Sequence, residues 1–213
     1  MATEIELKAH VRDSESLKEL LYRKAEYSGA FEKRDVYWFD SETSALRVTK
    51  LRIRREKRSF ADGTEKSFCL ATYKAKEEND GIETNDELEF EVAPVEAFEE
   101  FLGKAGLKAG AVKRKHGWDF LKAVSPSAEL AAAELCAELV EVDGLGWFIE
   151  LEILVKARSD NVYASLDNSA EDKREETFRK ARETLLAFLD SLGIEREAIE
   201  GRYYLDMLAS KDQ

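Results

Sequence analysis

Short stretches of alternating apolar and polar residues recur along the chain, near residues 3–9, 35–40, 48–55, 68–76, 86–92, 111–120, 137–143 and 147–155. A period of two marks strands with one buried face, and about eight of them suffice to close a small barrel. Spacings of three and four residues mark helices between them. One follows the candidate N-caps Asp13 and Ser14, with Leu17, Leu20, Leu21 and Tyr27 on one stripe. A second starts at Pro94, carries Phe98, Phe101 and Leu102, and stops at Gly103 or Gly106. The longest is expected after Asn168 or Ser169, with a stripe of Phe178, Ala181, Leu185, Phe188, Leu189 and Leu192 ending at Gly193. A last short helix is expected over about residues 195–208, where Ile199, Tyr203 and Met207 would share a packing face.

The polar faces of these strands are sorted by sign, whereas a solvated strand face ordinarily mixes both charges. Glu4, Glu6 and Lys8 alternate with Ile5, Leu7 and Ala9, and Glu150 and Glu152 alternate with Ile149, Leu151 and Ile153. Arg52 and Arg54 form a basic pair, as do Lys74 with Lys76 and Lys113 with Lys115. Closing the strands with their apolar faces outward, under helices, would gather these charges in one polar tunnel. Carboxylates that face one another repel unless bridged by a cation, for which Mg²⁺ or Mn²⁺ suits oxygen donors. The basic pairs then need a polyanion, and a metal-bound triphosphate meets both demands. The other reading leaves the charges outside an ordinary sheet, as cross-strand ion pairs of about 0.2–1 kcal/mol each.

Composition narrows the setting. The 213 residues are 44% hydrophobic and 37% charged, enough apolar surface for a core. Pro94 and Pro126 are the only prolines, and no linker or repeat divides the chain, so residues 1–213 are read as one domain. A formal charge of −12 argues against nucleic acid or an anionic membrane as partner, apart from a locally basic site. Cys69 and Cys136 are the only cysteines, and the first residues carry no apolar run, so a cytoplasmic protein without disulfides is expected.

These motifs, in this order, resemble the CYTH domain, also called the triphosphate tunnel metalloenzymes, a family that includes class IV adenylyl cyclases and thiamine triphosphatases. The resemblance covers nearly the whole chain. Glu4-Ile5-Glu6-Leu7-Lys8 is similar to the family's ExExK signature and Asp35-Val36-Tyr37-Trp38-Phe39-Asp40 to its aromatic and acidic second strand. Leu51-Arg52-Ile53-Arg54 and Thr72-Tyr73-Lys74 resemble its LRxR and TxK strands, and Glu87 to Glu91 its acidic fifth strand. Lys113-Arg114-Lys115, the hairpin Gly144 to Glu152 and Arg202-Tyr203-Tyr204 complete the series.

The resemblance implies an α+β fold, a closed eight-stranded antiparallel β-barrel with a polar interior, flanked by helices. It implies metal ligation by Glu4, Glu6, Glu150 and Glu152, with Glu89 as a further candidate, and Mg²⁺ or Mn²⁺ as the cofactor. Phosphates would be held by Lys8, Arg52, Arg54, Lys74, Lys76, Lys113 and Lys115, with Lys8, Arg52 and Lys74 also acting in catalysis. Relatives usually carry aspartate four residues before the GLG of the hairpin, where this chain has Val140; Glu138, of the same strand parity, is the candidate substitute. The implied activity is conversion of ATP to cyclic AMP and pyrophosphate. The alternatives are hydrolysis of inorganic triphosphate, thiamine triphosphate or a nucleoside triphosphate, and a triphosphate-binding module without chemistry. Pairing of the chain with itself is left open.

The remaining features are given bland readings. His10 and His116 stand without metal-ligand spacing. Cys69 and Cys136 are read as small buried hydrophobes. Arg55, Lys57 and Arg58 are assigned to solvent, and Asp62-Gly63 and Asp80-Gly81 to tight turns. Trp118 and Trp147 are read as packing residues, with an adenine platform as the alternative.

Overall fold

The alternating segments form eight antiparallel strands, and pairing between the first and the last closes the sheet into a barrel. The computed structural model describes residues 2–40, 51–79, 81–125, 133–156 and 168–211. The strands are β1 (Ala2–His10), β2 (Glu26–Asp40), β3 (Leu51–Phe60), β4 (Glu65–Asn79), β5 (Ile82–Glu91), β6 (Leu107–Val124), β7 (Ala133–Val142) and β8 (Gly146–Lys156). Their circular order, β1-β5-β4-β3-β2-β6-β7-β8, sets β2 diametrically opposite β1.

Strand β2 begins at Glu26 rather than at the expected residue 35, so Tyr27 lies in a strand and not on the first helix. Its first half hides from a period-two reading because a register shift falls between Tyr27 and Gly29. A side chain at Gly29 would meet the Ser59 carbonyl oxygen at 2.4 Å, so the close approach of β3 requires glycine there.

Among the described residues, four helices surround the barrel: α1 (Ser14–Lys24), α2 (Val95–Lys104), α3 (Asn168–Ser191) and α4 (Tyr204–Lys211). Asp13 caps α1 by accepting from the Ser16 amide at 3.0 Å. The expected last helix is split. Only Arg196–Ala198 makes a 3₁₀ turn, after which Ile199 is extended and bridges to Ala9. The Glu200 amide donates to the Lys8 carbonyl at 2.8 Å, and this pairing with β1 delays the helix to Tyr204.

The main core lies outside the barrel wall. Ile5, Leu7, Leu139, Ile149, Leu151 and Ile153 turn outward and are fully buried with Leu17 and Leu21 of α1 and Ala181, Leu185 and Leu189 of α3. Burying each such large side chain stabilises the fold by about 1.5–3 kcal/mol. Val36, Trp38, Ile53 and Ala71 pack likewise with Val95 and Leu102 of α2. A third cluster has the opposite parity: Phe31, Val140, Val142 and Phe148 face inward and are covered by Tyr204 and Met207 of α4. Among the described residues, no helix is long and apolar enough to cross a membrane.

Candidate active site

With the apolar residues turned out, the charged parity points into a cavity of about 330 Å³. Its two signs are largely sorted between opposite walls. Lys33, Arg52, Arg54, Lys113 and Lys115 come from β2, β3 and β6, whereas Glu4, Glu6, Glu83, Glu150 and Glu152 come from β1, β5 and β8. Burial of Glu4, Lys8, Arg54, Lys113, Lys115 and Glu150 excludes the reading of these charges as ion pairs on an exposed face.

The basic wall is organised by Asp35, which has no exposed surface. Arg54 donates to its two oxygens at 2.7 and 3.0 Å, Lys113 Nζ stands 3.2 Å away and Arg52 3.8 Å away. Burial pushes the Asp35 carboxyl up, but Arg54, Lys113 and Arg52 more than reverse this and hold it well below the ordinary carboxylate range. Arg52 also donates to Thr72 Oγ1 at 3.1 Å, and Thr72 donates to Glu89 at 2.7 Å. Glu89 therefore stands with the cations, 3.6 Å from Arg52. The buried Nε of Arg52 has no hydrogen-bond partner among the described residues, leaving a donor available in the lining.

On the acidic wall, the register sets Glu6 between Glu152 of β8 and Glu83 of β5, and pairs Lys8 with Glu150. Lys8 donates to Glu83 at 2.7 Å. Lys115 bridges the walls, donating to Glu150 Oε2 at 2.6 Å and to Glu138 Oε2 at 3.0 Å. Lys33 donates to the other Glu138 oxygen, and Tyr204 donates to Glu150 Oε1 at 2.7 Å. Burial raises the Glu138 carboxyl, yet Lys115 and Lys33 together hold it well below its usual range. A carboxylate so held is a weak base. Burial likewise lowers the Lys115 ammonium, and Glu138 and Glu150 raise it by more.

The carboxylates of this wall are hard oxygen donors suited to a divalent cation. Among the described residues, however, no three of His, Cys, Asp or Glu stand close enough to form a ready cage. One cause is visible at Glu150, whose two oxygens are occupied by Lys115 and Tyr204. The donors fit a metal in kind.

Several expectations change. Arg58, assigned to solvent, turns inward: its guanidinium donates to Glu56 at 2.9 Å and lies 2.5 Å from Asp119. Asp119 is almost fully buried and faces Glu138, Lys33, Arg58 and Glu56; burial and Glu138 push its carboxyl up to about 7 against the pull of Lys33 and Arg58. Val140 is fully buried in the apolar cluster under α4. Trp118 and Trp147 stack at 5.6 Å on the outer wall, with Lys18 over Trp118, so they form no platform within the cavity. Cys136 lines the cavity, whereas Cys69 packs on the α2 side. Lys74 and Lys76 hold register positions opposite Glu87 and Asn85; their side chains, like Asp80, lie outside the described residues.

Asp35, Lys33, Glu83 and Tyr204 were not among the expected site residues. Strand parity could have found the first three, since Asp35 and Lys33 share a face in β2 and Glu83 shares one with Glu89. No pattern in the sequence signals that Tyr204 reaches Glu150.

Comparison with known proteins agrees with this architecture. The PH1819 protein from Pyrococcus horikoshii OT3 is 25% identical, with 98% of this chain and 99% of that one covered at a TM-score of 0.68. A candidate adenylate cyclase from Vibrio parahaemolyticus is 15% identical over 97% of each chain, with a TM-score of 0.64. A candidate adenylyl cyclase from Hippeastrum, described as having a dominant triphosphatase activity, is 15% identical over 99% of this chain and 96% of that one, with a TM-score of 0.60. No curated protein matches the sequence. The family model of the CYTH domain matches residues 2–204, and with the inward-charged barrel this makes the chain a member of the CYTH domain family.

Proposed function

We propose that the chain is a divalent-metal-dependent enzyme that binds a triphosphate across its tunnel and hydrolyses it. The observation that carries this reading is the opposition of the two walls: Arg52, Arg54 and Lys113 gathered on Asp35 on one side, and Glu4, Glu6, Glu150 and Glu152 on the other. Arg52, Arg54 and Lys113 hold the phosphate chain and stabilise the charge that develops on the leaving phosphate. Lys8 and Lys115 exchange their present carboxylate partners for phosphate oxygens. A divalent ion, Mg²⁺ or Mn²⁺, held by the carboxylates of the opposite wall supplies neutralisation of the phosphate oxygens and a water of lowered pKa.

Hydrolysis is preferred over cyclisation of ATP because the described lining is dominated by charged groups. Charged side chains in this density pair directly with the oxygens of a phosphate chain. The cyclase reading is the second one, favoured by the GLG hairpin, Gly144 to Gly146, that leads into β8.

The test is incubation with inorganic triphosphate, thiamine triphosphate and ATP, each with Mg²⁺ or Mn²⁺, followed by identification of every product. Orthophosphate released from a triphosphate is the expected outcome. Cyclic AMP and pyrophosphate from ATP, with no orthophosphate, would establish the cyclase instead. Tight binding without any product would leave a binding module.

A further inference from the structure

We propose that Tyr204 is a positioning residue, which pins one oxygen of Glu150 so that the other becomes a metal ligand only when a triphosphate takes Lys115. This rests on the reading of the tunnel given above. The Tyr204 hydroxyl donates to Glu150 Oε1 at 2.7 Å, and Lys115 Nζ donates to Oε2 at 2.6 Å, so both oxygens are now occupied. The two partners differ in what can remove them. Lys115 is a cation shared between Glu150 and Glu138, and a phosphate oxygen competes directly for its charge. Tyr204 is an uncharged phenol and is buried, so an incoming phosphate has no charge on it to draw away. Its ring packs on Phe148 at 5.0 Å, and the chain before α4 is tied to β1 through Ile199 and Glu200.

The phenol therefore stays in place while the lysine leaves. Glu150, on the same wall as Glu6 and Glu152, is then held through Oε1 alone, with Oε2 vacated. Metal and triphosphate thus bind with positive coupling, because each completes what the other requires.

The experiment titrates Mn²⁺, followed by electron paramagnetic resonance, with and without inorganic triphosphate in the full chain. Wild type is expected to bind Mn²⁺ more tightly with triphosphate present. Tyr204→Phe keeps the ring and its packing and is expected to weaken Mn²⁺ binding in the ternary complex about tenfold, the scale of one hydrogen bond to a charged group. Met207→Ala loosens the seat of α4 without touching Glu150; it is expected to lower the melting temperature and leave Mn²⁺ binding unchanged. Unaltered Mn²⁺ binding in Tyr204→Phe, an equal loss in Met207→Ala, or no triphosphate-dependent tightening in wild type would overturn the proposal. Failure of the hydrolase reading is distinct: it shows as absence of product while these binding differences persist.

Discussion

Asp35 has no exposed surface and three cations within 3.8 Å, so its charge is what allows Arg54, Lys113 and Arg52 to be buried together. Replacing it by asparagine strands those charges, and Asp35→Asn is expected to destabilise the fold by about 3–5 kcal/mol in chemical denaturation. Asp119 makes the opposite case. Its carboxyl, held at about 7 against an ordinary 3.8, binds a proton more readily folded than unfolded, so its favourable contribution is complete below 3.8 and lost as pH rises through 7. Asp119→Asn should therefore melt higher than wild type near pH ~8, with an advantage less than half as large near pH ~5. Thermal unfolding at the two pH values checks this, and a melting difference independent of pH would refute it. Alternation alone put Glu4, Glu6 and Lys8, and likewise Arg52 and Arg54, on one strand face; that this face turns inward followed only from the resemblance of the ordered motifs. Their partners were less legible, because contacts such as Lys33 with Glu138 cross the barrel and depend on strand order and shear, which no local pattern carries.

Among the elements, α1, α2 and α3 follow closely from caps, stripes and terminal glycines, signals that lie within the helix itself. The last helix was misjudged over its first half because Ile199 and Glu200 pair with β1, a long-range demand that overrides local spacing. In β6, a side chain at Gly117 would meet the Leu139 carbonyl oxygen at 2.1 Å. Gly117→Ala should push β6 from β7 and cost about 1–3 kcal/mol of stability, measured by denaturant titration. Val140 bears on ancestry as well as packing. Reintroducing the aspartate usual in relatives places a carboxylate among Phe31, Val142, Phe148 and Met207. Val140→Asp is expected to lower stability by about 3 kcal/mol and to give no gain in turnover, as product assays on the folded fraction would show.

For the molecule as a whole, a formal charge of −12 surrounds a tunnel with one strongly basic wall. A phosphate chain approaching from solution first meets repulsion and only later attraction. Added salt screens the long-range part and hardly reaches the enclosed contacts. The association rate of inorganic triphosphate should accordingly rise with moderate salt in stopped-flow mixing, and a steep fall would contradict this picture. The closed seam between β1 and β8 has a kinetic counterpart. Ala2 pairs with Lys156, so β1 waits for β8 to emerge from the ribosome before gaining its second neighbour. Until then the half-made sheet exposes Ile5 and Leu7 beside an open backbone edge, making the nascent chain, rather than the finished barrel, the species most in need of a chaperone.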